Sequence, residues 1–224
     1  MSAAPETSIV VAVDGTSGSG KSSTCRGVAT RLGLRYLDTG AQFRAMTWWL
    51  LRHGIDVHDP VAVAARVEEP RIESGTAAAA PSIHVDGEDV GVAIRSDEVN
   101  AAVSPVSTVP EVRGRLLALQ REIIGAGGIV VEGRDIGSVV CPDAEVKVFL
   151  TADAEARAAR RAAEEGSSDL AATADSLRNR DRIDSGRAAA PLVMPDGAVH
   201  IDTTAYSLEE VVDLVVGLAQ RVTS

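Results

Sequence analysis

Aromatic side chains make up only 3% of this chain, so its core has to be assembled from Val, Ala, Leu and Ile. Cysteine occurs only at Cys25 and Cys141. Two thiols so far apart cannot build a disulfide framework or a four-ligand zinc site. No apolar run approaches the roughly 20 residues that span a bilayer. The opening MSAAPETS lacks the basic and apolar regions of a secretion signal. A cytoplasmic protein with no membrane partner is therefore expected. Positive charge is also short: 22 Lys and Arg stand against 32 Asp and Glu, a formal net charge of −10. That balance argues against polymeric nucleic acid as a partner, because its binders need a basic surface to displace counterions. A single nucleotide is not excluded, since a few locally placed arginines suffice for its phosphates. At 224 residues, the length suits one domain or one domain with an insertion.

What the chain does have is IVVAVDGTSGSGKSST, residues 9–24. A β-branched run ends in Asp14, and Gly15, Thr16, Ser17, Gly18, Ser19, Gly20, Lys21 and Ser22 follow at once, with Ser23 next. The octet satisfies G-x-x-x-x-G-K-[ST] in the strand–loop–helix setting that this motif requires. Its glycines let the backbone curl into a nest of N–H groups facing phosphate oxygens, and a helix N-terminus adds positive potential. Lys21 is placed to reach the β- and γ-phosphates, and the Ser22 hydroxyl to ligate Mg²⁺. Residues 15–23 are thus the expected nucleoside triphosphate site.

Downstream, 21–32 reads as a helix stopped by Gly33, with Val28 and Leu32 on one face and Cys25 as a small packing residue. A short strand at 34–37 opens into Asp38-Thr39-Gly40-Ala41-Gln42-Phe43-Arg44, where Asp38 or Thr39 caps the next helix. Trp48 and Trp49 project about 100° apart on that helix, so at most one is central in the core. Two successive strand–helix units point to a parallel sheet with right-handed crossovers. From 71 to 92 the text becomes short and alternating. Ile83 and Val85 flank a solvent-facing His84, and Asp86-Gly87 is a turn, which together indicate a small β-rich insertion. A short helix over 95–103 precedes Ser104-Pro105, and a second runs from Pro110 to about Gly125 with Leu116, Leu117 and Leu119 inward.

Ile129-Val130-Val131 reads as a buried strand that delivers Glu132-Gly133-Arg134-Asp135 to its carboxyl end, the edge where open α/β sheets bind ligands. A strand at 146–150 is followed by helices from about Asp153 and Asp169, separated by Gly166-Ser167-Ser168. They carry Arg157, Arg160, Arg161, Arg178, Arg180, Arg182 and Asp184, with Gly186-Arg187 beyond. Arg157, Arg178 and Arg182 read as a solvated, salt-bridged face. A last strand at 199–201 precedes Ser207-Leu208-Glu209-Glu210, which caps a C-terminal helix.

Taken in order, DGTSGSGKSS at 14–23, YLDTGAQFR at 36–44, GEDV at 87–90, IRSDEVN at 94–100, EGRDIGSVVCPDA at 132–144 and RNRDRIDSGRAAAPL at 178–192 make the chain resemble the bacterial cytidylate kinases over nearly its whole length. The phosphate loop alone marks a very large superfamily. The D-[ST]-G-A-x-[FY]-R, G-R-D-x-G and R-x-x-x-D-x-x-R stretches are far more specific. Thr39 and Phe43 stand where Ser and Tyr are also common in that family; Thr39 keeps the hydroxyl and Phe43 lacks the phenol.

The resemblance implies an α/β P-loop kinase fold: a five-stranded parallel sheet flanked by helices, on a core of 8–69 and 108–224. It adds an inserted monophosphate-binding subdomain at about 70–107 and a helical lid at about 157–187. It implies transfer of the γ-phosphoryl group of ATP to CMP or dCMP with Mg²⁺. By the same resemblance, Arg44, Arg134 and Arg187 hold the acceptor phosphate through forked, charge-assisted hydrogen bonds. Arg160 and Arg180 close from the lid onto the transferring phosphoryl, so that Lys21, Arg160, Arg180 and Arg187 form the catalytic set. Asp184 and Arg180 address the acceptor sugar, and Thr39 joins the CMP-binding residues. Ser104, Arg113 and Asp135 read the base. Cytosine presents an exocyclic amine beside ring acceptors, whereas uracil would leave the carboxylate unpaired at about 1–3 kcal/mol. Without the resemblance, Ser104 reads equally well as a loop cap before Pro105. For the metal, no Asp follows a second strand as a direct ligand, which leaves Ser22, with Asp38 and Glu132 as water-mediated contacts.

Two rivals share the phosphate loop. A GTP-binding switch would add N-K-x-D and D-x-x-G, and neither occurs in the chain. A P-loop kinase for another small acceptor, such as a different nucleoside monophosphate or shikimate, is the alternative reading. The insertion and the Ser104, Arg113 and Asp135 set argue against it. Nothing in the sequence demands more than a monomer.

Overall fold

The computed structural model describes residues 8–165, 169–187 and 190–223. The chain divides into two compact units, one of Met1–Tyr36 with Ala126–Ser224 and one of Leu37–Gly125. The first unit opens with β1 (Val10–Gly15) and α1 (Lys21–Leu32). Gly33 ends α1 at φ 66°, a left-handed turn that lets its N–H cap Ala29 and Thr30 carbonyls. Next come β2 (Arg35–Asp38) and, in the second unit, α2 (Thr39–Arg52), capped by the Asp38 side chain.

The second unit continues with α3 (Pro60–Ala64) and strands β3 (Ile72–Gly75), β4 (Ser82–Val85) and β5 (Glu88–Asp89). These three form the expected small antiparallel sheet, in the order β3-β4-β5. Asp86 and Gly87 both take positive φ, 53° and 84°, as a two-residue hairpin turn requires. Ile83 and Val85 point inward and His84 is half-exposed. The Trp49 indole donates to Asp86 at 2.9 Å, and Asp86 accepts the Arg71 N–H, so the hairpin is tied to α2. Trp49 is buried and Trp48 only partly so, as their angular separation demands. The unit closes with α4 (Asp97–Val106) and α5 (Pro110–Ile124).

Helix α4 runs through Ser104 and Pro105 instead of stopping at 103. Pro105 forfeits only the bond to the Ala101 carbonyl, and the carbonyls of the last turn find side chains. Ser107 Oγ donates to Ser104 O at 2.8 Å and Thr108 Oγ1 to Pro105 O at 2.7 Å. The core of this unit gathers Met46 and Leu50 of α2, Ile83 and Val85 of β4, Val106 of α4 and Leu116 of α5.

The first unit resumes with β6 (Ile129–Gly133), β7 (Val146–Thr151), α6 (Ala154–Glu165), α7 (Leu170–Gly186), β8 (Val199–Asp202) and α8 (Leu208–Thr223). The five strands form the expected parallel sheet in the order β2-β6-β1-β7-β8. Central β1 places Val11 between Val130 and Val146 in register. Val11, Ala12 and Val13 are fully buried, which is why this strand reads as an unbroken apolar run. Helix α8 packs on α1 where Gly27 leaves no side chain, since a Cβ there would lie 2.8 Å from Val212. The capping box forms: the Ser207 N–H reaches Glu210 at 2.8 Å and the Glu210 N–H returns to Ser207 Oγ. The expected break at 166–168 lies outside the described residues, and α7 starts behind an Asp169 cap.

Candidate active site

Three glycines shape the phosphate loop. Gly15 sits against β7, where a Cβ would fall 2.0 Å from Leu150 O. Gly18 and Gly20 adopt φ of 75° and 86°. Gly20 caps α1 without a side-chain acceptor, and no acidic residue occupies the first turn, so the helix N-terminus keeps its positive potential for an anion. Lys21 is buried, its Nζ donating to Thr16 O at 2.6 Å. Burial, reinforced by Arg134 nearby, pulls its ammonium down to about 7, against the pull of Glu132. The negative charge of a polyphosphate would restore it. Ser22 Oγ donates to Glu132 Oε2 at 3.0 Å, and the buried Glu132 also accepts the Tyr36 phenol.

The carboxyl end of β6 carries the next group. Arg134 spreads its guanidinium over Asp184 Oδ2 at 2.8 Å, Gly15 O at 3.0 Å and Ser17 Oγ at 2.8 Å, with its own neighbour Gly133 O at 3.4 Å. Arg187 joins through the other oxygen of Asp184, at 2.7 Å. Burial works against ionisation of Asp184, but Arg134 and Arg187 prevail and hold its carboxyl below the usual range. Asp14, at the end of β1, accepts the N–H groups of Ile136 at 2.7 Å and Gly137 at 2.8 Å, fixing the turn that follows Asp135. Burial lifts the Asp14 carboxyl to about 6 in spite of those two bonds. Asp135 itself is buried.

Helices α6 and α7 bring a correction. Arg157 does not lie on a solvated face. It is buried, donates to Ser17 O at 3.1 Å and pairs with Asp181, because α6 lies against the phosphate loop and α7 supplies the carboxylate. Arg178 and Arg182 do remain outside, with Asp175 and Asn179 as partners. Arg160 donates to both Oγ1 and O of Thr203 at 2.8 Å, and Thr203 Oγ1 in turn reaches Ser19 O at 3.1 Å. Arg160 is thus linked to the loop through a residue that sequence reading passed over. Asp14, Tyr36, Asp181 and Thr203 were all missed. Asp14 left a signal as a charge closing a buried β-branched run, and Tyr36 and Asp181 lie inside the 36–44 and 178–192 stretches that carry the resemblance; Thr203 left none. Arg180 lies close enough to Asp184 to favour its ionised form.

The second unit holds the remaining expected residues. Thr39 is buried at the start of α2, and the Asp38 carboxylate accepts the Ala41 N–H at 3.0 Å. Arg44 follows one turn on, and Gly40 leaves room for its guanidinium, since a Cβ there would lie 3.4 Å from Nη1. Ser104 is buried on α4. Arg113 on α5 donates to Ser107 O at 3.2 Å and stands 5.4 Å over the Phe43 ring. Loss of the phenol at 43 therefore leaves an aromatic face that orients Arg113.

No group of three or more His, Cys, Asp or Glu suited to a metal occurs among the described residues. The Ser22 hydroxyl and Glu132 carboxylate are hard oxygen donors, which suits Mg²⁺ held mainly by substrate phosphates and water.

The profile of the cytidylate kinase family matches residues 11–221. A cytidylate kinase of Streptomyces griseus is 56% identical over 215 residues, covering 95% of this chain and 93% of that protein. One of Nocardia farcinica is 51% identical over 213 residues, covering 93% and 92%. Among solved structures, a gluconokinase from Sinorhizobium meliloti superposes with a TM-score of 0.51 at 17% identity, covering 96% of this chain and 94% of that one, which supports the kinase fold and nothing finer. With more than half of its residues shared with such relatives and a family profile running nearly end to end, this chain belongs to the cytidylate kinase family.

Proposed function

We propose that the chain transfers the γ-phosphoryl group of ATP to CMP or dCMP, releasing ADP and CDP or dCDP. The observation that carries this reading is Arg134, whose guanidinium joins the phosphate loop to Asp184 and, through it, to Arg187. A nucleotide switch has no use for two further arginines wired to its loop. An enzyme that presses a second phosphate against the first does, because it must cancel the charge of both.

In this reading Lys21 and the loop N–H groups hold the β- and γ-phosphates, and Arg160 and Arg180 take up charge on the transferring group. By the family resemblance, Arg134, Arg187 and Arg44 address the acceptor phosphate. Asp184 and Arg180 serve the sugar, Thr39 belongs to the CMP-binding set, and Asp135, Ser104 and Arg113 read cytosine. The acceptor atom is already an anionic phosphate oxygen, so no general base is required. Ser22, with Glu132 behind it, would hold Mg²⁺, which when bound neutralises charge shared between the β- and γ-phosphates. The enzyme acts as a cytoplasmic monomer.

The test is ADP release by purified protein offered CMP, dCMP, UMP, AMP and shikimate separately. The expected order puts CMP or dCMP first. Preference for UMP or AMP would overturn the base assignment, and preference for shikimate would overturn the nucleotide acceptor altogether.

A further inference from the structure

We infer that Asp181 is a positioning residue of the phosphate loop, acting with Arg157 to fix the Ser17 backbone and thereby set affinity for the phosphoryl donor. The inference rests on the reading of the loop as an ATP site and is independent of the acceptor.

Ser17 lies near the tip of the loop, and side chains from distant helices claim both of its backbone polar groups. Its N–H donates to Asp181 Oδ1 at 3.0 Å, and its carbonyl accepts Arg157 Nη1 at 3.1 Å. The same Nη1 pairs with the second oxygen of Asp181. The N–H belongs to the peptide plane before Ser17 and the carbonyl to the plane after it. Since each plane moves as a rigid unit, holding both sets φ and ψ of Ser17. The plane after it leads into Gly18, whose φ of 75° is the first left-handed turn of the nest. A Cβ at Gly18 would lie 3.0 Å from Arg157 O and 3.1 Å from Arg157 Cβ, so α6 is already in contact there.

A loop rich in Gly and Ser has many backbone states, and a triphosphate that had to select one of them would bind more weakly. The ion pair makes that selection in advance. It is a poor device for stability alone. Both partners are largely withdrawn from water, and Arg157 Nε has no acceptor among the described residues. Two apolar side chains would fill the same space without the desolvation penalty. They could not, however, accept from the Ser17 N–H and donate to its carbonyl.

The test compares Asp181→Ala and Asp181→Asn with the unmodified protein by calorimetric titration with ATP and Mg²⁺, no acceptor present, and with CMP alone. Asp181→Ala is expected to weaken ATP binding tenfold or more, to change CMP binding less than twofold, and to speed amide exchange at Ser17 and Gly18. Asp181→Asn still offers an oxygen to the Ser17 N–H and is expected to recover ATP affinity to within threefold. Four results would overturn the inference: unchanged ATP affinity in folded Asp181→Ala, equal loss of ATP and CMP affinity, unchanged exchange at Ser17, or Asp181→Asn as weak as Asp181→Ala. Should Asp181→Ala not fold, Arg157→Met removes the grip on the carbonyl instead, and unaltered ATP affinity there is equally decisive. A protein that binds ATP normally yet phosphorylates no CMP would refute the acceptor reading while leaving this titration interpretable.

Discussion

Replacing Asp184 by alanine should be the most damaging single substitution outside the phosphate loop. Its carboxylate is shared by Arg134 at 2.8 Å and Arg187 at 2.7 Å, and the three side chains are 10%, 19% and 5% exposed respectively. Removing the anion leaves two largely buried guanidiniums without their counter-charge, and breaking one buried pair in this way costs about 3–5 kcal/mol. In a chain of this length each kcal/mol is worth about 2–4 °C of melting temperature. Asp184→Ala is therefore expected to melt about 6–20 °C lower at pH 7. Asp184→Asn, which keeps shape and one acceptor oxygen, should fall between the two. The sign of the pH dependence follows from the depressed carboxyl. Its contribution is present above the ordinary value of 3.8 and is lost as pH falls through the lower folded value. The deficit of the variant should accordingly hold from pH 7 down to pH 5 and narrow only below 3.8. Differential scanning calorimetry across that range checks both magnitude and sign. A variant melting within 2 °C of the unmodified protein at pH 7, or a deficit that ignores acid, would refute the assignment of Asp184 as the anion that holds these arginines.

Three further outcomes are expected. Lys21→Ala should lower kcat by at least about 10²-fold, the scale of losing one charge-stabilising donor; a folded variant by circular dichroism with most of its turnover intact would contradict the role of Lys21. Glu132→Gln leaves an acceptor for Ser22 but removes the charge behind it, so the Mg²⁺ concentration for half-maximal activity should rise about 10-fold or more; an unaltered Mg²⁺ titration would remove Glu132 from that site. Asp14 carries the opposite linkage to Asp184. Its carboxyl is raised from 3.8 to about 6, so the stability it gives when protonated is full below 3.8 and lost as pH climbs to 6, an effect of roughly 3 kcal/mol. Urea midpoints of Asp14→Asn should lack that decline, and parallel profiles for the two proteins would count against it.

What could be read directly were features governed by neighbouring residues. The phosphate loop, the strand that precedes it, the Gly33 stop, the Asp38 cap, the Asp86-Gly87 turn and the Ser207 capping box all depend on backbone chemistry within a few positions, and each formed where expected. The parallel sheet followed from the order of strands and helices. Local rules failed at α4, where Pro105 suggested an end and the helix runs one residue past it, with side-chain hydroxyls on its last carbonyls. They also failed at Arg157. Arg157 and Arg160 lie one turn apart on the same helix; the residue pattern read Arg157 as solvated, and only the family resemblance marked Arg160 as functional. Tertiary structure buried Arg157 against Ser17 and tied Arg160 to Thr203, 43 positions away. Likewise Asp14, Glu132, Asp181 and Asp184 are all carboxylates within polar or β-branched text. Whether each is capped by N–H groups, bonded to hydroxyls or paired with guanidinium is set by which groups the folded chain brings within about 3 Å. The sequence determined the residue types and the local backbone, and with them the triphosphate loop. Only the fold decided which groups face one another, because partners such as Arg134 with Asp184 and Ser17 with Asp181 lie 50 and 164 positions apart and no short-range pattern encodes them.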